Sequence, residues 1–196
     1  MAVETGHLET STGLDNLKLL MWLFLGSECL FFGSFIAAYL LYRGRSTAGP
    51  YPENLVDIPF TSVSAFILLM SSVSMVLALA SIQRGNVRNM RIWLATTAIL
   101  GLLFISGQAY EFTEFYHQGL TIHTNLYGTT FFVLTGFHGA HVTVGVLILM
   151  SLLIWSFRGK VQQKDSLNIE LAGLYWHFVD IVWIVIFTLV YLVQPQ

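Results

Sequence analysis

Five stretches of this 196-residue chain, at about 19–42, 60–82, 92–113, 128–154 and 172–193, are almost continuously apolar. None of the nine Lys and Arg residues falls inside them. A helix rising 1.5 Å per residue needs roughly 20 such residues to cross about 30 Å of hydrocarbon, and every run is long enough. A membrane strand needs only about ten residues and alternates in polarity, which these runs do not. A helix also pairs each backbone N–H within its own segment, a condition that lipid imposes. The fold class expected is all-α: a polytopic membrane protein, a bundle of five transmembrane helices.

Composition narrows the function classes. Hydrophobic residues make up 55% of the chain and charged residues 10%, against about 25% charged in an ordinary soluble domain. A soluble fold of this size could not hide that much apolar surface, and a disordered chain would be far more polar. Nine basic residues against eleven acidic ones leave no basic excess for nucleic acid. The single cysteine, Cys29, excludes a disulfide framework and any cysteine-based zinc or iron–sulfur site.

The rest of the chain is connectors and a tail. Residues 43–59 hold Pro50, Pro52, Pro59, Gly44 and Gly49; 83–91 and 155–171 are basic or mixed; 114–127 carries His117, His123, Asn125 and Gly119. No connector could form a domain, and no internal repeat or low-complexity tract is present. The expected organisation is a polar cytoplasmic tail, 1–17, followed by one five-helix domain, 18–196. The tail carries Glu4, Glu9 and Asp15 and lacks the basic start of a secretory signal. With five spans, Lys18, Arg84, Arg88, Arg91, Arg158, Lys160 and Lys164 share one side, against Arg43 and Arg45 on the other. The positive-inside bias then places the N-terminus inside and the C-terminus outside.

Ionisable groups at membrane depth are costly and therefore informative. Glu28 lies about 13 Å past the inner boundary and can hardly be ionised and unpaired there. It reads either as a protonated acid bonded to a neighbouring helix or as a proton-handling or lipid-head-group site. His138 and His141 share a helix face at i,i+3. They could ligate a metal or haem, but the only opposing histidine is His177, so interhelical hydrogen bonds are the preferred reading. His177 and Asp180 are also spaced i,i+3, and a structural pairing is preferred. Counted along the helices, Glu28, His141 and Asp180 all fall about 12–14 Å from the inner face. This predicts one buried polar layer joining helices one, four and five, with Glu28 against His141. Gln108, Glu111, Glu114 and His117 form a stripe near the outer interface, read as an interfacial polar face or a docking face for a partner subunit. Gly136, Gly139 and Gly145, with Ser64, Ser71, Ser74 and Ala78, mark close helix packing.

Four strings resemble one family. They are Ser27-Glu28 followed by Phe31-Phe32, then Gly107-Gln108-Ala109-Tyr110-Glu111-Phe112, the glycine- and histidine-containing run 127–145, and Tyr175-Trp176-His177-Phe178-Val179-Asp180-Ile181-Val182-Trp183. Together they are similar to subunit III of haem–copper terminal oxidases, over nearly the whole chain after about residue 17. The resemblance implies a non-catalytic subunit with no haem, copper or active site of its own. Such a subunit packs beside catalytic subunit I, which reduces dioxygen to water and pumps protons. It implies protection of subunit I during turnover, support of proton uptake, and phospholipid held in a cleft. Haems and copper belong to subunits I and II; small accessory subunits are further possible partners, and nucleic acid is not. The setting implied is the bacterial plasma membrane.

Glu28 matches the family's buried carboxylate, His138 and His141 its helix-four histidines, and His177 and Asp180 its last-helix motif. Many members have seven helices; this chain lacks the first two and is similar to the short bacterial form, so the family's lipid contacts do not transfer intact. Both cytochrome c and quinol oxidases have such a subunit. The strings Gly107–Phe112 and Thr135–His138 are nearer the cytochrome c branch, while Thr143 and Phe187–Tyr191 also occur in quinol types. A nitric-oxide reductase accessory subunit shares the fold. Readings from other classes are an independent five-helix proton or ion transporter using Glu28 and Asp180, and a di-haem electron-transfer bundle. The absence of repeats and broken helices argues against the transporter.

Overall fold

The computed structural model describes residues 15–43, 45, 49 and 57–193. Residues 1–14 of the expected tail, with Glu4 and Glu9, lie outside the described residues, as do Gly44, Pro50 and Pro52. Five helices follow one another: α1 Asn16–Tyr42, α2 Ile58–Gln83, α3 Val87–His117, α4 Leu126–Phe157 and α5 Ser166–Phe187. A short 3-10 turn, Gln163–Asp165, leads into α5, and a π-helical segment, Thr188–Leu192, continues it. All five are long and apolar enough to cross a membrane, and there is no strand among the described residues.

The helices outrun the apolar runs at most ends. Helix α3 begins five residues before the apolar run at 92–113 and ends four after it, and α5 begins at Ser166 rather than 172. Apolarity marks where the chain meets hydrocarbon, whereas helical hydrogen bonding continues until a cap ends it. Asp15 accepts from Leu17 N, Asp57 from Phe60 N, Asn86 from Asn89 N and Asn125 from Gly128 N. Each takes up an N–H that the first turn leaves unpaired. Pro59 sits in the first turn of α2, where it has no hydrogen bond to break. Gly85, at φ 76°, closes α2 in the left-handed conformation and lets Asn86 N reach back to Ser81 O.

Helices α2, α3, α4 and α5 close into a four-helix group through the pairs α2–α3, α3–α4, α4–α5 and α5–α2. Helix α1 lies outside it, against α4 and α5. The centre of the group is Trp176, fully buried. Its ring lies between Gly101 of α3 and Gly145 of α4, where a Cβ would sit 2.6 and 2.8 Å from the indole. Its Nε1 donates to Ser71 Oγ of α2 at 2.9 Å. Small residues thus make room for a large ring, and Ser74 bonds Thr97 at 2.8 Å beside it. Gly136, by contrast, has nothing within 4 Å of its Cβ position and is not a packing contact.

The basic end of the bundle is tied by side chains. Lys18 pairs with Glu170, Arg91 bonds the Ser156 hydroxyl and carbonyl, and Gln163 reaches Gln83 O at 2.8 Å. At the opposite end Arg43 donates to the carbonyls of Leu189 and Val193, which follow α5.

Candidate functional site

Between α1, α4 and α5 the chain leaves an apolar cleft of about 730 Å³. Met21, Phe24, Val144, Ile148, Trp155 and Leu171 form its walls, and Glu28, His141 and Tyr175 supply polar atoms. It exists because α1 contacts the group only along one edge; only 11% of its most apolar stretch is buried, against 56% for the last helix.

Glu28 is twelve residues into α1, about 18 Å from its start. Its Oε2 faces His141 Nε2 of α4 at 3.2 Å. The approach is a close contact rather than a directed hydrogen bond, since Oε2 has no hydrogen-bond partner of sound geometry. The other ring nitrogen of His141 lies 2.7 Å from Phe137 O. A carbonyl can only accept, so Nδ1 carries a hydrogen. In the neutral imidazole, Nε2 then presents its lone pair to Glu28. The pair can hold one proton between them, as acid and imidazole or as carboxylate and imidazolium. Both arrangements are neutral overall, which is what a site at membrane depth requires. Phe31 and Phe32 cover the imidazole at 5.9 and 4.9 Å between ring centroids. Tyr175 OH donates to His141 O at 3.0 Å, fixing α5 to the same turn of α4.

The other expected site residues divide into separate places. Asp180 does not join Glu28 and His141 in one layer: it is packed toward α2, beside Ser72. Ser72 Oγ also lies 2.5 Å from His177 Nδ1. Equal depth along three helices did not mean equal facing, because a helix at a given depth still has a full circle of directions. His138 stacks on Trp183 at 4.9 Å, fully buried, rather than facing Glu28. Among the described residues no three His, Cys, Asp or Glu side chains gather as a metal-holding group.

The stripe at the far end of α3 also divides. Glu114 and His117 are exposed. Gln108 and Glu111, expected on an outer partner face, turn inward, 7% and 6% exposed. Gln108 Nε2 donates to Thr135 O at 2.8 Å. Glu111 accepts from Thr61 at 2.7 Å and Tyr191 at 3.3 Å. Each polar group finds a partner on a neighbouring helix, which lipid could not supply. Ser72, Thr61 and Tyr191 were not singled out from the sequence. Their signal was faint: a Ser or Thr hydroxyl in an apolar helix can bond its own backbone and so indicates no direction, and a tyrosine is equally at home at the lipid interface.

Fold and site together define a multi-pass helical membrane protein whose polar groups serve helix-to-helix contacts and one apolar cleft. The family model for cytochrome c oxidase subunit III matches residues 3–194, and the chain belongs to that family. The family is a non-catalytic oxidase subunit of the respiratory electron-transport chain. The chain is 36% identical over 177 residues to cytochrome c oxidase subunit 3 of Bacillus sp. (strain PS3), covering 90% of this chain and 86% of that one. It is 35% identical to quinol oxidase subunit 3 of Bacillus spizizenii over 184 residues, 94% and 90% of the two chains. It is 41% identical to cytochrome c oxidase subunit 3 of a Synechocystis strain over 174 residues, 87% and 72%.

Proposed function

We propose that this chain braces the catalytic subunit I of a bacterial respiratory oxidase from the side, in the plasma membrane, with its N-terminus inside. Subunits I and II carry the haems and copper; this chain contributes packing, support of proton uptake and a seat for phospholipid. The observation that carries the reading is the family match along almost the whole chain. The distribution of basic residues, concentrated on the end that holds Lys18, Arg91 and Lys160, supports the orientation.

The cleft beside Glu28 suits the acyl chains of a phospholipid. Its walls are hydrocarbon and aromatic, and Glu28 and His141 face each other at its edge rather than standing apart as single polar groups. Lys18 and Asn168 lie toward the end where a head group would sit.

Cytochrome c is the electron donor of the leading reading, in line with the 41% identity to the Synechocystis protein. Quinol is the second, because relatives named quinol oxidase subunit 3 are 35% identical over as much of the chain. Purification of the tagged chain in mild detergent tests the assignment. Recovery with a haem-bearing subunit, in a complex that oxidises cytochrome c, is the expected outcome. Oxidation of quinol instead would favour the second reading, and recovery of the chain alone would contradict both.

A further inference from the structure

Where α5 faces α4 and α2, away from the cleft, three polar side chains are buried without hydrogen-bond partners. His138 is fully buried and neither ring nitrogen has a hydrogen-bond partner. Trp183 is 2% exposed and its Nε1 has none. Asp180 is 3% exposed, and neither carboxyl oxygen makes a bond of sound geometry. Ser72 lies beside it but places its hydroxyl 2.5 Å from His177 Nδ1.

These residues are neighbours. The His138 imidazole stacks on the Trp183 indole, 4.9 Å between centroids and 23° apart in plane. Asp180 is three residues before Trp183, on the same face of α5. Phe104 and Phe32 pack against the imidazole at 5.9 and 6.4 Å and offer it no hydrogen bond. Folded proteins leave very few buried polar atoms unpaired, and five on adjoining side chains is a concentrated exception. Their chemistry is complementary to one ligand. The indole N–H donates, the carboxyl accepts, and a neutral imidazole does one of each. A water molecule can do both, and buried waters characteristically make about three hydrogen bonds.

We infer that His138, Asp180 and Trp183 hold ordered water between α4 and α5, at a site separate from the Glu28–His141 pair. The water joins the two helices where their side chains do not bond directly. It also gives Asp180 a polar partner on the side away from Ser72.

Two measurements on the intact oxidase complex test this. The first is a cryo-electron microscopy map sharp enough to show ordered water. A peak within hydrogen-bond distance of at least two of the three side chains is expected. A direct bond between His138 and Asp180, or side chains closed together with no peak, would overturn the inference. The second is water-edited solid-state NMR of the complex in bilayers, with 15N-labelled tryptophan and histidine. Trp183→Phe keeps the stacked ring and identifies the indole signal by its loss. That signal should gain magnetisation from water in the parent protein, and His138→Phe should reduce the gain. No transfer to Trp183, or transfer unchanged by His138→Phe, would count against the site.

Discussion

The two sides of the bundle hold together differently. Helices α2 to α5 are interlocked around Trp176, with glycines at 101 and 145 shaped to its ring and Ser71 bonded to its nitrogen. Helix α1 has no such lock. It is fastened by polar ties at four depths: Lys18 to Glu170, Glu28 to His141, Tyr39 to Tyr127 at 3.4 Å, and Arg43 to the carbonyls after α5. Between the first two ties the cleft stays open. In lipid, burying an apolar face against another helix gains little, since the tails are equally apolar; close packing and polar contacts decide what holds. The tightly packed side uses both along its length, whereas α1 combines its polar ties with one aromatic patch, Phe31 and Phe35 against Phe137 of α4 and Phe32 against Phe178 of α5.

Substitutions can break or sharpen this contrast. Gly101→Leu forces a side chain into the Trp176 ring and the Val146 methyl. It should destabilise the chain by about 3 kcal/mol or more, read as a large drop in the thermal unfolding midpoint in detergent. Gly26 and Gly33 on α1 have nothing within 4 Å of their Cβ positions. Alanine there should be neutral or stabilising by up to about 1 kcal/mol; a loss like that at Gly101 would erase the distinction.

Glu28→Ala leaves His141 facing the cleft without its partner. The expected loss is about 1–3 kcal/mol, seen as a smaller fraction of the chain recovered with the oxidase and a shorter turnover lifetime. Glu28→Gln, which preserves a hydrogen-bonding group, should keep assembly near normal. Equal recovery and equal lifetime for both variants would show that the pair does not hold α1. Ser71→Ala removes the acceptor of the Trp176 nitrogen and should cost about 1 kcal/mol. Lys18→Ala is expected to have the smallest effect, under about 1 kcal/mol and weaker at high salt, because both partners of that ion pair reach solvent.

Much of the architecture was legible because the hydrocarbon imposes length. The five runs mark five helices in order, and counting depth along α1 and α4 puts Glu28 level with His141, where the two meet. Direction around each helix was not legible. A helix apolar on all sides shows no amphipathic stripe to say which face points inward. Asp180 accordingly turns to α2, and Gln108 and Glu111 turn into the bundle although their position near the interface suggested an outward face. Trp176 illustrates the same limit. A tryptophan in a membrane helix is equally at home at the lipid interface, and only the two facing glycines and Ser71 place it at the centre.

The most direct test of the bracing role is to delete this chain from an otherwise intact oxidase and follow dioxygen reduction through many turnovers. The expected result is an unchanged haem spectrum and a substantial initial rate that decays faster than in the complete complex. Loss of a haem or copper centre together with this chain, or a rate that persists as long without it, would contradict a supporting role beside the catalytic subunit.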